Sequence, residues 1–443
     1  MLSFRSTSID RQILRIALPS IITNITVPLL GLIDLTIAGH LGDAMFIGAM
    51  SVGAMMFNLT YWNFGFLRMG TSGITAQAYG RGDMTAARGA LFRACFLALA
   101  IALTIVALQH PLQRLTLAII APSPQVLELA RHYYLIVVWG APAVLTMMAL
   151  KGWFLGMQDS KSAMHISIVV DSLNVVASLV AVYGFGMGFI GIAIGTLVAE
   201  YLGLAFSIGL LAHKYPAMLH NLQLHEILQW NELKRMTAVN SHIFVRSFCM
   251  ILVTLSFVSI GARSGDLTLA VNALIMQLFI LFSYFMDGIA FAGEALVGRF
   301  VGEGNHRMRH RCVKHLMVWG AVVMVLYAAA YSLLPRQIFS LLTSDAAVVT
   351  AAVGYRWWCL AIPLASMAAF VWDGVFIGQT DTRGMLLAVM SASATFFAIY
   401  FLLPVPQGNN RLWLAFIAYL AMRSIMQTII WLTKEKKIAH KIA

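Results

Sequence analysis

The chain has 443 residues, 60% of them hydrophobic and only 11% charged, and it carries a formal net charge of +12. An ordinary soluble domain is about one quarter charged, so this composition excludes a soluble protein. The basic excess raises nucleic acid as a partner, but the placement of the charges explains it without one.

Apolar runs long enough to cross roughly 30 Å of hydrocarbon fall near residues 12–37, 45–70, 88–110, 132–157, 162–184, 189–212, 236–261, 267–293, 313–335, 355–379, 384–404 and 411–433. They predict an all-α integral membrane protein with twelve transmembrane helices. The first run contains Pro19 and, fifteen residues later, Asp34. A rise of about 1.5 Å per residue places this carboxylate roughly 33 Å along the helix, in the half away from its start. A charge inside the membrane costs about 2.5–3.5 kcal/mol, so Asp34 is the first candidate for function. The run has no small-residue cleavage site and continues through Asp34, and so reads as an uncleaved anchor.

In the fifth run Ser167, Asp171, Asn174 and Ser178 recur at steps of four, three and four, which places them on one helix face. Such a face either lines a polar pocket or joins neighbouring helices. Thr196 in the sixth run lies at a depth similar to Ser178. Residues 213–235 form a polar connection between an N-terminal lobe, 1–212, and a C-terminal lobe, 236–443. In that second lobe a rise of about 1.5 Å per residue places Arg246, Asp287 and Asp373 in the middle or inner part of the membrane. They read either as a neutralising network that holds helices seven, eight and ten together or as a second cation or substrate site. Lys151, near a helix end, reads as a snorkelling side chain. Glu200 and Arg423 receive no role.

The two lobes repeat one another. Phe154-Leu155-Gly156-Met157-Gln158-Asp159-Ser160-Lys161 returns 222 positions later as Phe376-Ile377-Gly378-Gln379-Thr380-Asp381-Thr382-Arg383. The same shift carries Gly80-Arg81-Gly82-Asp83 onto Gly302-Glu303-Gly304-Asn305. Six helices per repeat is an even number, so both enter the membrane in the same direction as parallel repeats, an arrangement characteristic of transporters. Asp34 is matched in the second repeat by Ser256. A structural reason common to both halves would predict two carboxylates, so the asymmetry favours a functional role.

Twenty Lys and Arg residues fall at the N-terminus, in the alternate loops beginning at Gly80, Asp159, His213, Gly302 and Thr380, and in the tail. Only Arg114, Arg131, Arg263, Arg336, Arg356 and Arg411 belong to the other side. The positive-inside rule therefore predicts that both termini are cytoplasmic. Cys95, Cys249, Cys312 and Cys359 read as packing residues, and no metal-ligand spacing or phosphate loop is present. No nucleophile and base stand together, so an enzyme is not expected. Energy must come from a gradient or from downhill flow.

The stretches Gly31-Leu32-Ile33-Asp34-Leu35-Thr36-Ile37-Ala38-Gly39-His40-Leu41-Gly42, Ala76-Gln77-Ala78-Tyr79-Gly80 and Asp287-Gly288-Ile289-Ala290-Phe291-Ala292-Gly293-Glu294 resemble the multidrug and toxic compound extrusion family. The pairs Asp287-Gly288 and Asp373-Gly374 are similar to its DNA-damage-inducible protein F branch. This resemblance implies two six-helix bundles and cation-coupled export of organic compounds. It places a proton-binding carboxylate on Asp34, a bending proline on Pro19, polar positions on Asn174 and Thr196, and a tyrosine on Tyr133. Family members often carry an acid where Ser178 stands here. The carboxylate pair is therefore rebuilt from Asp34 and Asp171, or Asp34 acts alone.

The expected function is a proton-coupled antiporter, rather than a sodium-coupled one, that exports amphipathic, often cationic organic molecules. It is expected to act in the cytoplasmic membrane as a monomer without a cofactor, with lipid and small molecules as its partners and no nucleic acid. A lipid-linked glycan flippase of the same superfamily and a passive channel are the rivals. The first would call for a basic cavity, and intramembrane Lys and Arg are few.

Overall fold

The computed structural model describes residues 8–219, 229–403 and 408–442, and every regular element among them is helical. In the first half, α1 is Ile9–Gly39, α2 Ala44–Tyr61, α3 Phe66–Gly80, α4 Met84–Ala107, α5 Gln109–Ile120, α6 Pro124–Val137, α7 Ala141–Gly156, α8 Ser160–Leu179 and α9 Gly188–Lys214. In the second, α10 is Trp230–Ala262, α11 Asp266–Gly302, α12 His306–Leu333, α13 Pro335–Leu342, α14 Ala346–Gly354, α15 Arg356–Gly378, α16 Thr382–Leu402 and α17 Asn409–Ile442. Arg5 and residues 220–228 of the connection lie outside the described residues.

Eleven helical spans among the described residues are long and apolar enough to cross a membrane. The twelfth is α2 with α3, a segment interrupted by a 3-10 turn at Trp62–Gly65. This segment continues past the apolar run to Gly80 because its polar residues are hidden. Thr71 and Ser72 are fully buried and return their hydroxyls to the backbone, to Leu67 O at 2.5 Å and Met69 O at 3.0 Å. The fourth segment has a 3-10 turn of its own at Val138–Gly140, between α6 and α7. Pro142 stands in the first turn of α7, where its missing N–H leaves no helical bond unmade.

The fourth helix of each half is the core of its unit. Of the residues in its apolar stretch, 61% are buried in Pro124–Gly156 and 67% in Arg356–Gly378, against 17% in α12. Leu29, Leu32, Leu103, Phe248, Leu252 and Leu326 are exposed. Such a surface would drive aggregation in water and is ordinary in hydrocarbon.

By their contacts the residues form two compact units, Leu18–Asn240 and Ser241–Ala443 with Met1–Ala17. Each changeover falls within a long helix, one of them directly before Pro19. In the second unit the start of α1 is held by Asp10, whose Oδ1 meets His315 Nδ1 at 2.8 Å and accepts from Trp319 Nε1 at 3.0 Å. In the first unit Glu232, at the start of α10, is the charged neighbour of Arg93. The repeat shift of 222 carries Asp10 to Glu232 and Arg93 to His315, so both halves lend out the beginning of their first helix in the same way.

The repeat also holds at the level of single bonds. Asp83 and Asn305 cap α4 and α12, accepting from Ala86 N at 2.9 Å and Met308 N at 3.0 Å. Asp159 and Asp381 cap α8 and α16 and each takes a lysine, Lys214 or Lys434. Burial pushes the Asp159 carboxyl up, but bonds from Ser162 and Lys214 outweigh it and hold the group below its ordinary value. The stability it contributes is therefore complete above the unfolded value of about 3.9 and is lost as pH falls through the lower folded value. Lys214→Met should cost about 0.2–1 kcal/mol at neutral pH, the scale of a partly exposed pair. In melting experiments that deficit should be constant from pH 5 to 8 and close only in stronger acid. A deficit that grew toward acid would contradict this.

Candidate functional site

The first unit gathers the polar side chains of α1, α6, α8 and α9 around Asp34. The gathering depends on close helix approach, since a Cβ at Gly195 of α9 would overlap the Ser178 backbone of α8. With the two helices this near, Asn174 Nδ2 donates to Thr196 Oγ1 at 3.1 Å, and Ser178 Oγ donates to Asn174 Oδ1 at 3.4 Å. Thr196 Oγ1 in turn donates to Ile192 O at 3.0 Å. Just beyond Ser178 the helix passes into a π turn at Val180–Gly184, a local widening found often at functional sites.

Tyr133 is buried on α6 and has both Thr196 and Asp34 as neighbours. Its ring rests on the backbone of α2, where a Cβ at Gly53 would stand 2.7 Å from Cδ1. Phe189 closes the other side at 5.8 Å between ring centres. Ile37, Ala38, Ala49, Met50, Val137 and Ile192 make the wall around this cluster apolar.

The two carboxylates of the site differ in one respect. Asp34 is 6% exposed, its Oδ1 has no hydrogen-bond partner, and its charged neighbour is Asp171, another acid. Asp171 is half-buried and has the Thr26 hydroxyl and the Lys151 ammonium for neighbours, although its Oδ2 is also unpartnered. The charge of Asp171 is thus offset from α7, and that of Asp34 is not. Pro19 lies in α1 four turns before Asp34, and Thr23 Oγ1 donates to its carbonyl at 3.0 Å. Lys151 and Thr26 were missed in the sequence, the first because a cation near a helix end has snorkelling as its simplest reading.

In the second unit, Asp373 of α15 is the hub of a buried network. Arg246 of α10 donates to Oδ2, Arg423 of α17 donates to the same oxygen at 2.8 Å, and Gln427 Nε2 donates to Oδ1 at 2.6 Å. The Tyr419 ring lies 5.7 Å from the Arg423 guanidinium. Two guanidiniums thus share one carboxylate away from water, and removing that carboxylate would strand both. Arg423 and Gln427 complete a network begun by Arg246 and Asp373. The only signal for Arg423 in the sequence was the rule that an intramembrane cation needs a partner. Asp287 lies beside Tyr284 on α11.

Two parallel six-helix repeats, each almost wholly apolar outside and each with ionisable groups inside, define a membrane transporter built by duplication. The MatE family model matches residues 19–180 and 243–402, and the chain belongs to this family, the multidrug and toxic compound extrusion transporters. It is 35% identical over 434 residues to the DNA damage-inducible protein F of Escherichia coli K12, an alignment covering 96% of this chain and 92% of that protein. It is 22% identical to the multidrug resistance protein MdtK of Edwardsiella ictaluri, over 96% of each chain. A crystal structure described as MATE in the bent conformation superposes with a TM-score of 0.83 at 17% identity, covering 99% of both chains. The fold is therefore that of the family throughout.

Proposed function

We propose that this efflux transporter is a proton-coupled antiporter that exports amphipathic, often cationic organic molecules across the cytoplasmic membrane, with Asp34 as the coupling group. The observation that carries this reading is the unequal state of the two acids, one with a lysine beside it and one with only another acid. An ionised Asp34 in an apolar wall is costly. A proton relieves that cost, and so does the field of a positively charged substrate bound nearby in the same unit. Each occupant lowers the affinity for the other, and antiport follows from that exclusion when the two occupied forms favour different conformations. Pro19 removes one backbone bond from α1 and so supplies the weak point at which the helix carrying Asp34 can change course.

The neighbouring oxygens support a proton over sodium. Asn174 Oδ1 accepts from Ser178, and Thr196 Oγ1 both donates and accepts within the protein. A metal ion would have to draw several of these oxygens into its coordination shell in competition with the bonds they already make, whereas a proton needs one carboxylate oxygen. The reading includes cytoplasmic termini, from the distribution of Lys and Arg, and a monomer that requires no cofactor.

Purified protein in sealed vesicles, with the membrane potential clamped, tests the proposal by separating the gradients. Efflux of a lipophilic cation should follow an imposed pH gradient with acid outside and ignore a sodium gradient at fixed pH. Uphill transport driven by sodium, or flow that never exceeds equilibration, would overturn it. The second outcome would indicate a channel.

A further inference from the structure

Glu200 of α9 stands one helical turn beyond Thr196 and takes no part in the bonds around Asp34. Its Oε2 is shielded from solvent and has no hydrogen-bond partner. No ion pair among the described residues reaches it. A buried acceptor left without a donor costs roughly 1–3 kcal/mol, and more when charged, so its retention in an apolar helix calls for an explanation.

The surroundings of Glu200 are aromatic. Tyr61, Tyr133 and Tyr201 are its neighbours. Phe57 lies 5.3 Å from the Tyr61 ring and stacks on Tyr134 at 5.1 Å, so Tyr61 is itself packed on further aromatic rings. The Tyr61 hydroxyl is itself buried and unpartnered. On the remaining side the Glu200 carboxyl rests on the 3-10 turn between α6 and α7, where a Cβ at Gly140 would stand 2.7 Å from its Cδ. Glycine leaves room for the carboxyl at that turn, and any other residue would displace it.

We propose that Glu200, with the neighbouring Tyr61 and Tyr201, is a second cation-binding point in the first unit, separate from the Asn174–Thr196 bonds around Asp34, which receives the positively charged group of an exported organic molecule. The proposal rests on the reading of the protein as an exporter of organic cations and names the residue that recognises them. A carboxylate among aromatic side chains suits a large, weakly hydrated cation. Aromatic rings attract a cation placed over their faces and so add to the carboxylate's attraction, and little hydration has to be removed from the ligand. The Tyr61 oxygen offers a further lone pair. Asp34 remains available for the proton, so the two duties of an antiporter are divided between two acids that both neighbour Tyr133.

Equilibrium binding of radiolabelled tetraphenylphosphonium to purified, detergent-solubilised full-length protein tests this. Glu200→Gln should weaken binding tenfold or more. Gly140→Ala, which keeps the acid but moves it, should weaken binding in the same direction, and it serves as the test if the first variant does not fold. Wild-type affinity in both variants would overturn the site and leave proton coupling through Asp34 standing. No binding by the wild-type protein would overturn both the site and the cationic-substrate part of the functional reading. Displacement of the probe by millimolar sodium in the wild type but not in Glu200→Gln would reassign the carboxylate to an inorganic cation, and so would also overturn the proposal.

Discussion

Asp34→Asn should abolish proton-driven export while leaving the protein folded. The substitution keeps the size of the side chain and its ability to hydrogen-bond, and it removes the member of the Asp34–Asp171 pair that has no cation beside it. In a one-for-one exchange, each pH unit across the membrane supplies about 1.4 kcal/mol, a tenfold accumulation, and all of it depends on that titratable oxygen. Efflux in vesicles should therefore fall to background. The melting temperature should stay level or rise, because an intramembrane charge worth about 2.5–3.5 kcal/mol has gone. Ser256→Ala, at the matching position of the second repeat, should pump normally. Equal loss in both variants would mean that the first helices are sensitive to any change and that Asp34 has no special part.

Asp373→Asn should have the opposite signature, a large loss of stability. Asn keeps an acceptor but leaves Arg246 and Arg423 buried with no counter-charge, and breaking a buried pair from one side costs about 3–5 kcal/mol. Yield and melting temperature should both fall sharply. The combined change Asp373→Leu, Arg246→Met and Arg423→Met should recover much of the loss, since a buried ionic set replaced whole by apolar side chains is often neutral. If Asp373→Asn melts like the wild type, the cluster is hydrated and does not hold the second unit together.

Most of the architecture was legible because the bilayer imposes simple rules. Long apolar runs and the duplicated Gly156-to-Lys161 and Gly378-to-Arg383 turns reveal six helices per half, and the structure reproduces the repeat down to the caps made by Asp159 and Asp381. The interruptions were not legible. Trp62-Asn63-Phe64-Gly65 and Val138-Trp139-Gly140 continue apolar runs, and a 3-10 turn leaves no mark on a pattern that is hydrophobic on every side. The short helices α5 and α13 were invisible for a related reason, being partly polar segments between spans.

Within the site, Asp34, Asn174 and Thr196 could be found by residue type and spacing, since polar groups in a membrane helix are conspicuous. Their ranking could not. The difference between Asp34 and Asp171 lies in Lys151, which comes from another helix, and the difference between Glu200 and a simple packing residue lies in Gly140, sixty positions away. The exchange of helix beginnings at Ala17 and Asn240 is likewise a matter of contacts between distant segments, as with Asp10 and His315.

The central claim is that Asp34 carries the coupling proton, and proton release on substrate binding measures it most directly. Purified protein in weakly buffered detergent solution, mixed with a saturating organic cation near neutral pH, should release protons into the medium. Asp34→Asn protein, shown to bind the same cation, should release none. Release of the same size from the variant would contradict the claim and place the coupling proton on another residue.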